Sequence, residues 1–178
     1  MENDPQTIAL LAKQNYQQGN EQQAAELFNR AAELFLFQGD ELSAAEMRNN
    51  LSVVLLKHGQ AQAAFDAAAQ TDQIFEQAGD NRRRAMALGN QAAALDGLGQ
   101  LPQALDLYQQ CADLLKESEE KELLAYVLQN ISTLQLRTGK QFQAVATMNS
   151  ALEHKPKLTF REKILQKLLK STTKKMIG

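Results

Sequence analysis

Tryptophan is absent from this 178-residue chain, and aromatic residues of all kinds make up only 6%. A single cysteine, Cys111, forms no internal disulfide, so the chain is not a disulfide-stapled scaffold. The two histidines, His58 and His154, have no cysteine or acid cluster at metal-ligand spacing, so no metal is expected. No apolar run reaches the roughly 18 residues that a membrane-spanning helix needs, and no membrane insertion is expected. The opening Met1-Glu2-Asn3-Asp4-Pro5 is acidic and lacks the basic-then-apolar layout of a signal peptide. These absences point to a cytoplasmic chain. Gly97-Leu98-Gly99 lacks the third glycine and preceding strand of a phosphate loop, and Cys111 has the surroundings of an inert packed thiol. No enzyme and no cofactor is therefore expected. With three prolines and no long alternation of β-branched residues, the class is all-α.

What is present is a period. Gly19, Gly59, Gly99 and Gly139 stand 40 residues apart, and each is followed five residues later by an alanine: Ala24, Ala64, Ala104 and Ala144. Seven residues before each glycine is a small residue (Ala12, Ser52, Ala92, Ser132), and twelve after comes another (Ala31, Thr71, Cys111, Ala151). Self-similarity at such a period marks stacked units that cannot bury an apolar face alone. Small residues at fixed helical spacing let two backbones approach. Phe28, Tyr108 and Met148, with the pairs Leu34-Phe35, Ile74-Phe75 and Leu114-Leu115, fill the space between them.

Each unit reads as two antiparallel helices, A and B, joined at the glycine, which accepts positive φ at a helix end. Gly39-Asp40 and Gly79-Asp80 close helix B and cap the next helix; in the third unit Glu119-Glu120 stands there, and Ser118 is the better cap candidate. Asp4-Pro5 opens the first helix as cap and first helical residue. Pro156 ends the last helix B early, and Thr159-Phe160-Arg161-Glu162 has capping-box spacing. The expectation is nine helices: four pairs over residues 1–155 (about 5–40, 41–80, 81–120 and 121–155) and a basic capping helix and tail over 156–178. Ile164, Leu165, Leu168 and Leu169 form one apolar stripe on that last helix, whose outer face should be polar if it caps the array.

The order Ala92, Gly99, Ala104, Tyr108, Cys111 resembles the tetratricopeptide repeat (TPR) family in its longer, 40-residue form, as found in kinesin light chain and in bacterial peptide-sensing arrays. The resemblance spans roughly residues 5–155 and implies a right-handed TPR solenoid of four helix-turn-helix repeats plus a C-terminal capping helix. Leu10 in place of asparagine, Gln91 in place of an apolar residue and Ala68 in place of an aromatic depart from the pattern.

The resemblance also implies a function. In TPR proteins the A helices line a concave groove that binds a peptide segment of another protein, and an asparagine there holds the peptide backbone. Asn50, Asn90 and Asn130 occupy that place one repeat apart. An amide offers both donor and acceptor, as a peptide backbone does. Bonding to neighbouring helices or to water is the other reading of this column. Glu46, Met86 and Tyr126 lie one turn before the asparagines, and Lys57 and Arg137 two turns after two of them. The carboxylate clamp of some TPRs requires Lys and Arg where this chain has Met86 and Asn90, so that ligand class is not implied.

Charge is segregated. Residues 1–154 carry 11 Lys+Arg against 20 Asp+Glu, whereas 155–178 carry 8 against 1. Within the repeats, Arg82-Arg83-Arg84 opens the third A helix against its dipole, with Glu76 and Asp80 near enough to compensate. The basic segment reads as a solvated cap, as a dock for an acidic surface such as another copy's repeats, or as a contact for anionic lipid or nucleic acid. Its lysines are not interleaved with aromatics, so nucleic acid is not expected. The alternative to a groove adaptor is a self-associating scaffold, a homo-oligomer held by this C-terminal helix.

Overall fold

The computed structural model describes residues 4–177, with side chains as far as Ser171. Ten helices and no strand occur among the described residues: α1 (Pro5–Gln17), α2 (Glu21–Phe37), α3 (Glu41–Lys57), α4 (Ala61–Ala68), α5 (Thr71–Gln77), α6 (Asn81–Gly97), α7 (Leu101–Glu117), α8 (Lys121–Arg137), α9 (Gln141–His154) and α10 (Phe160–Ile177). The fold is an all-α, TPR-like array of helix pairs closed by a C-terminal helix. The chain divides into two compact units, Met1–Ala104 and Leu105–Gly178.

In the first unit α2 packs on α1 and α3, and α6 packs on α3, α4 and α5. The alanine columns explain how. Ala12, Ala24, Ala31, Ala64 and Ala92 are all essentially without solvent exposure, and Phe28, Phe35, Met47 and Val54 fill the space that these small residues leave. Gly97 marks another close approach: a Cβ there would lie 3.0 Å from the Ala61 Cβ. In the second unit α9 packs on α8 and α10 on α9. There Ala104's counterpart Ala144 and the small residues Ser132 and Ala151 are buried, and Ser132 Oγ donates to the Ala144 carbonyl at 2.8 Å.

The turns repeat as the helices do. At Gly39 (φ +78°) the glycine N–H bonds the Leu36 carbonyl at 3.0 Å and the Asp40 N–H reaches back to Phe35 at 2.9 Å, the paired bonds of a Schellman end. Glu119 performs the same turn with a side chain in the left-handed region (φ +57°), and its two bonds are longer, 3.4 and 3.2 Å. Ser118 does not cap α8. Its hydroxyl donates back into α7, to the Leu114 carbonyl at 3.0 Å, because the left-handed residue that follows turns the chain away before it can reach the next helix. The other caps are as expected: Asp4 accepts from the Thr7 N–H, Asp40 from Ser43 and Asp80 from Arg83. These bonds hold the Asp40 and Asp80 carboxyls below their usual range, and Asp4 is lowered first by the Thr7 hydroxyl, which donates to it at 2.5 Å, and next by the Thr7 N–H.

Two features differ from the sequence-based expectation. The second helix B is broken at Gln70 (φ +64°) into α4 and α5, which raises nine helices to ten. The break is stabilised from both sides. The Ala68 carbonyl accepts from Thr71 Oγ1 at 2.7 Å and from Gln91 Nε2 of α6 at 3.0 Å, while the same amide donates to Asp72 Oδ1 at 2.7 Å. Thr71 Oγ1 also lies 3.3 Å from the buried Asn49 Oδ1. The departures at Ala68 and Gln91 are thus one feature: a polar residue on α6 satisfies the carbonyl exposed by the missing turn.

The second difference is at the other end. Proline 156 ends α9 as expected, and the capping box forms: the Thr159 N–H donates to Glu162 Oε2 at 2.8 Å and the Glu162 N–H to Thr159 Oγ1 at 3.3 Å. Yet the outward face of α10 is not polar. Phe160 is 78% exposed and Ile164 46%, with Leu165 and Leu168 exposed beside them; Leu169 alone of the stripe is half-buried.

Candidate functional site

The A helices of the first unit, α1, α3 and α6, carry the residues that the repeat register singles out there. An acid ties the three together. Glu46 of α3 pairs with Lys13 of α1 at 2.9 Å and with Arg83 of α6 at 3.4 Å, and Arg83 in turn holds Asp80 at 2.7 Å and stacks over the Phe75 ring at 5.2 Å. Arg84 pairs with Glu76 at 2.9 Å. Arg83 and Arg84 are therefore paired with the acids expected to compensate them, and Arg83 with Glu46 in addition.

Asn50 lies one turn beyond Glu46, half-buried, and its side chain makes no hydrogen bond among the described residues. It stands at a cleft of about 220 Å³ lined by Lys13, Tyr16, Gln17, Phe28 and Val53. The floor is apolar and aromatic and the rim is polar, the composition of a side-chain pocket beside a backbone-binding amide. Asn90 differs. Its amide donates across to α3, 3.4 Å from the Asn49 carbonyl and 3.5 Å from Asn49 Oδ1, so it bonds a neighbouring helix. Met86, one turn earlier, is exposed, with its sulfur 3.9 Å from Arg82 Nη1.

Lys57 turns away from this row. It pairs with Glu21 at the start of α2 and lies 5.7 Å over the Tyr16 ring, and His58 Nε2 reaches the other oxygen of Glu21 at 3.0 Å. The Lys57 ammonium holds the Glu21 carboxyl below its usual range, and the carboxylate raises the lysine in return. A wider hollow of about 580 Å³ opens at this corner, lined by Asn20, Glu21, Gln22, Gln23 and Glu26. It is shallow and polar, and its central acid is already satisfied.

In the second unit α8 carries Tyr126, 63% exposed, the half-buried Asn130 and the exposed Arg137. No hydrogen bond of the Asn130 side chain occurs among the described residues. The sequence reading missed Lys13 and Val53. Both lie three residues after the asparagine column, at Leu10 and Asn50, so the same 40-residue register could have found them.

Among the described residues no group of three His, Cys, Asp or Glu side chains could hold a metal ion, and no helix is long and apolar enough to cross a membrane. Cys111 is buried.

The comparisons agree with this architecture. MamA from Desulfovibrio magneticus RS-1 superposes with a TM-score of 0.67 at 20% identity, covering 85% of this chain and 76% of that one. BtubC from P. vanneervenii gives 0.69 at 16% identity, covering 94% and 66%. The nearly identical TPR-like repeats of a Podosopora anserina kinesin light chain give 0.59 at 16% identity, covering 98% of each chain. At these identities the likeness establishes the TPR-like fold. No curated protein matches the chain in sequence. A family model does, over residues 11–170, and it is that of the soluble NSF attachment proteins. The chain belongs to the soluble NSF attachment protein (SNAP) family, a TPR-like helical family.

Proposed function

We propose that the chain is a non-catalytic, cytoplasmic adaptor whose four repeats over residues 1–155 bind a peptide segment of a partner protein along the A helices. The observation that carries this reading is Asn50: a half-buried amide without a hydrogen-bond partner among the described residues, at the mouth of an aromatic-floored cleft. A half-buried amide with no partner of its own among the described residues keeps both its donor and its acceptor for a ligand. An extended peptide meets it with one N–H and one C=O, while an apolar side chain enters between Tyr16, Phe28 and Val53. Asn90 of the same unit and Asn130 on α8 hold the same register position in their repeats, and Met86 and Tyr126 offer exposed apolar surface one turn from each. A family named for attachment to another protein accords with an adaptor role. The ordering of a flexible ligand keeps affinity modest.

The test is a selection of peptides from a random library on the intact chain, followed by titration calorimetry of the winners. Replacing Asn50, Asn90 and Asn130 together by alanine should weaken the selected peptides at least about tenfold, the loss of 1.4 kcal/mol or more, with helicity unchanged. Winners that bind the triple variant equally well refute the groove.

A further inference from the structure

The exposed stripe of α10 needs a cover, and the charge of the chain says which. Phe160, Ile164, Leu165 and Leu168 follow i, i+4, i+5, i+8 spacing and so share a face. Apolar side chains grouped this way on a helix surface mark an interaction site. Lys163 and Lys167 stand exposed on the flank beside Phe160, with Lys157 and Arg161 nearby. The segment's one acid, Glu162, is consumed by the capping box and by Lys155 at 2.5 Å, and Lys170 reaches Glu153 of α9 at 3.3 Å. The uncovered surface is thus apolar and purely cationic.

Its complement exists on this chain. The N-terminal unit, residues 1–104, carries 7 Lys+Arg against 13 Asp+Glu. On the outer face of α2, Glu26, Glu33 and Phe37 follow i, i+7, i+11 spacing and form one line. Phe37 is 89% exposed and both acids are exposed; Arg30 on the same side is already engaged. An aromatic with carboxylates one and three turns before it on the same line is what an apolar stripe flanked by lysines fits. We propose that α10 of one copy docks on α2 of a second copy, through Phe160 and Ile164 against Phe37 and through Lys163 and Lys167 against Glu33 and Glu26. An anionic bilayer would also attract α10, but it would repel the repeats, where 20 acids face 11 bases. The contact joins two different surfaces, so it propagates into rings or open chains of copies. It is independent of the groove and stands or falls without it.

Sedimentation velocity of the full chain tests this. Association should be concentration-dependent and should weaken at least about tenfold between about 0.01 M and about 1 M salt, as the screening length falls from about 30 Å to about 3 Å. Lys163→Glu with Lys167→Glu should weaken it at least about tenfold, and so should Glu26→Lys with Glu33→Lys; the four changes together should restore it to within about threefold of the parent. All four positions are exposed, so far-UV circular dichroism should not change. A parent chain that stays monomeric at every concentration overturns the proposal. So does an association indifferent to the α2 reversal, a combined variant that is not rescued, or binding to phosphatidylserine vesicles by a chain that does not self-associate.

Discussion

Replacing Gln91 by leucine separates structural from repeat-consensus reasoning. Leu11, Leu51 and Ile131 occupy the equivalent position, so consensus logic makes Gln91→Leu a stabilising repair. The structure says the opposite. Gln91 is only 7% exposed, and its amide serves two acceptors, the Ala68 carbonyl at 3.0 Å and Asp72 Oδ1 at 2.7 Å. The carbonyl keeps Thr71 Oγ1 as a donor at 2.7 Å, so losing the amide there costs about 1 kcal/mol. The bond to the half-buried carboxylate, a charged acceptor, adds about 1.5 kcal/mol. Against this, leucine gains about 1 kcal/mol of apolar burial over the glutamine stem already in place. The net is a loss of about 1.5 kcal/mol, and for a chain of this size the melting temperature falls by about 3–6 °C. Thermal unfolding followed by circular dichroism at 222 nm, with calorimetry alongside, reads it directly. A variant that melts at or above the parent temperature refutes the account of the broken helix.

Further outcomes follow from other residues. Glu119→Gly relieves a side chain held at φ +57° and should stabilise the chain by about 1 kcal/mol, seen as a higher urea midpoint. The Glu162 carboxyl is held down to about 2, by Lys155 first and the Thr159 N–H next. Because its folded value lies below the unfolded one, its stabilising effect is complete above about pH 4.5 and lost as pH falls towards about 2. The protection of the first-turn amides of α10, relative to the intrinsic exchange rate at each pH, should therefore fall over that window, and Glu162→Gln should show the lower protection at neutral pH. Asn50→Ala should leave the melting temperature within about 1 °C, since a half-buried amide without an intramolecular hydrogen bond contributes little stability; a large drop would mean that the amide is structural.

The repeat architecture was legible because its causes are local and recur: an alanine where backbones meet, a residue with φ above zero where helix A ends, an aspartate where the next helix begins. Four readings of the same spacing correct one another. The break at Gln70 was not legible, because its cause is shared between Ala68 and Gln91, 23 residues apart, and each alone reads as decay of the motif. The exposure of Phe160 and Ile164 was not legible either. Helical spacing gives a stripe but not which neighbour covers it. At the candidate site, the register located Asn50 and Glu46, but only the coordinates showed Glu46 bonded to two other helices and Lys57 drawn off to Glu21.

A chain whose landmarks recur every 40 residues has an ambiguity that ordinary domains lack. Helix A of one unit could pair with helix B of a unit one repeat away, and the alanine columns would still mesh. Such slipped pairings are near-degenerate traps in folding and seeds of exchange between chains. The kink after Ala68 removes the degeneracy. It fits a partner helix only where a glutamine stands ready to meet the bared carbonyl, and Gln91 is the one residue of its column that can. The flaw in the repeat serves as a registration mark, telling otherwise interchangeable units which neighbour is theirs.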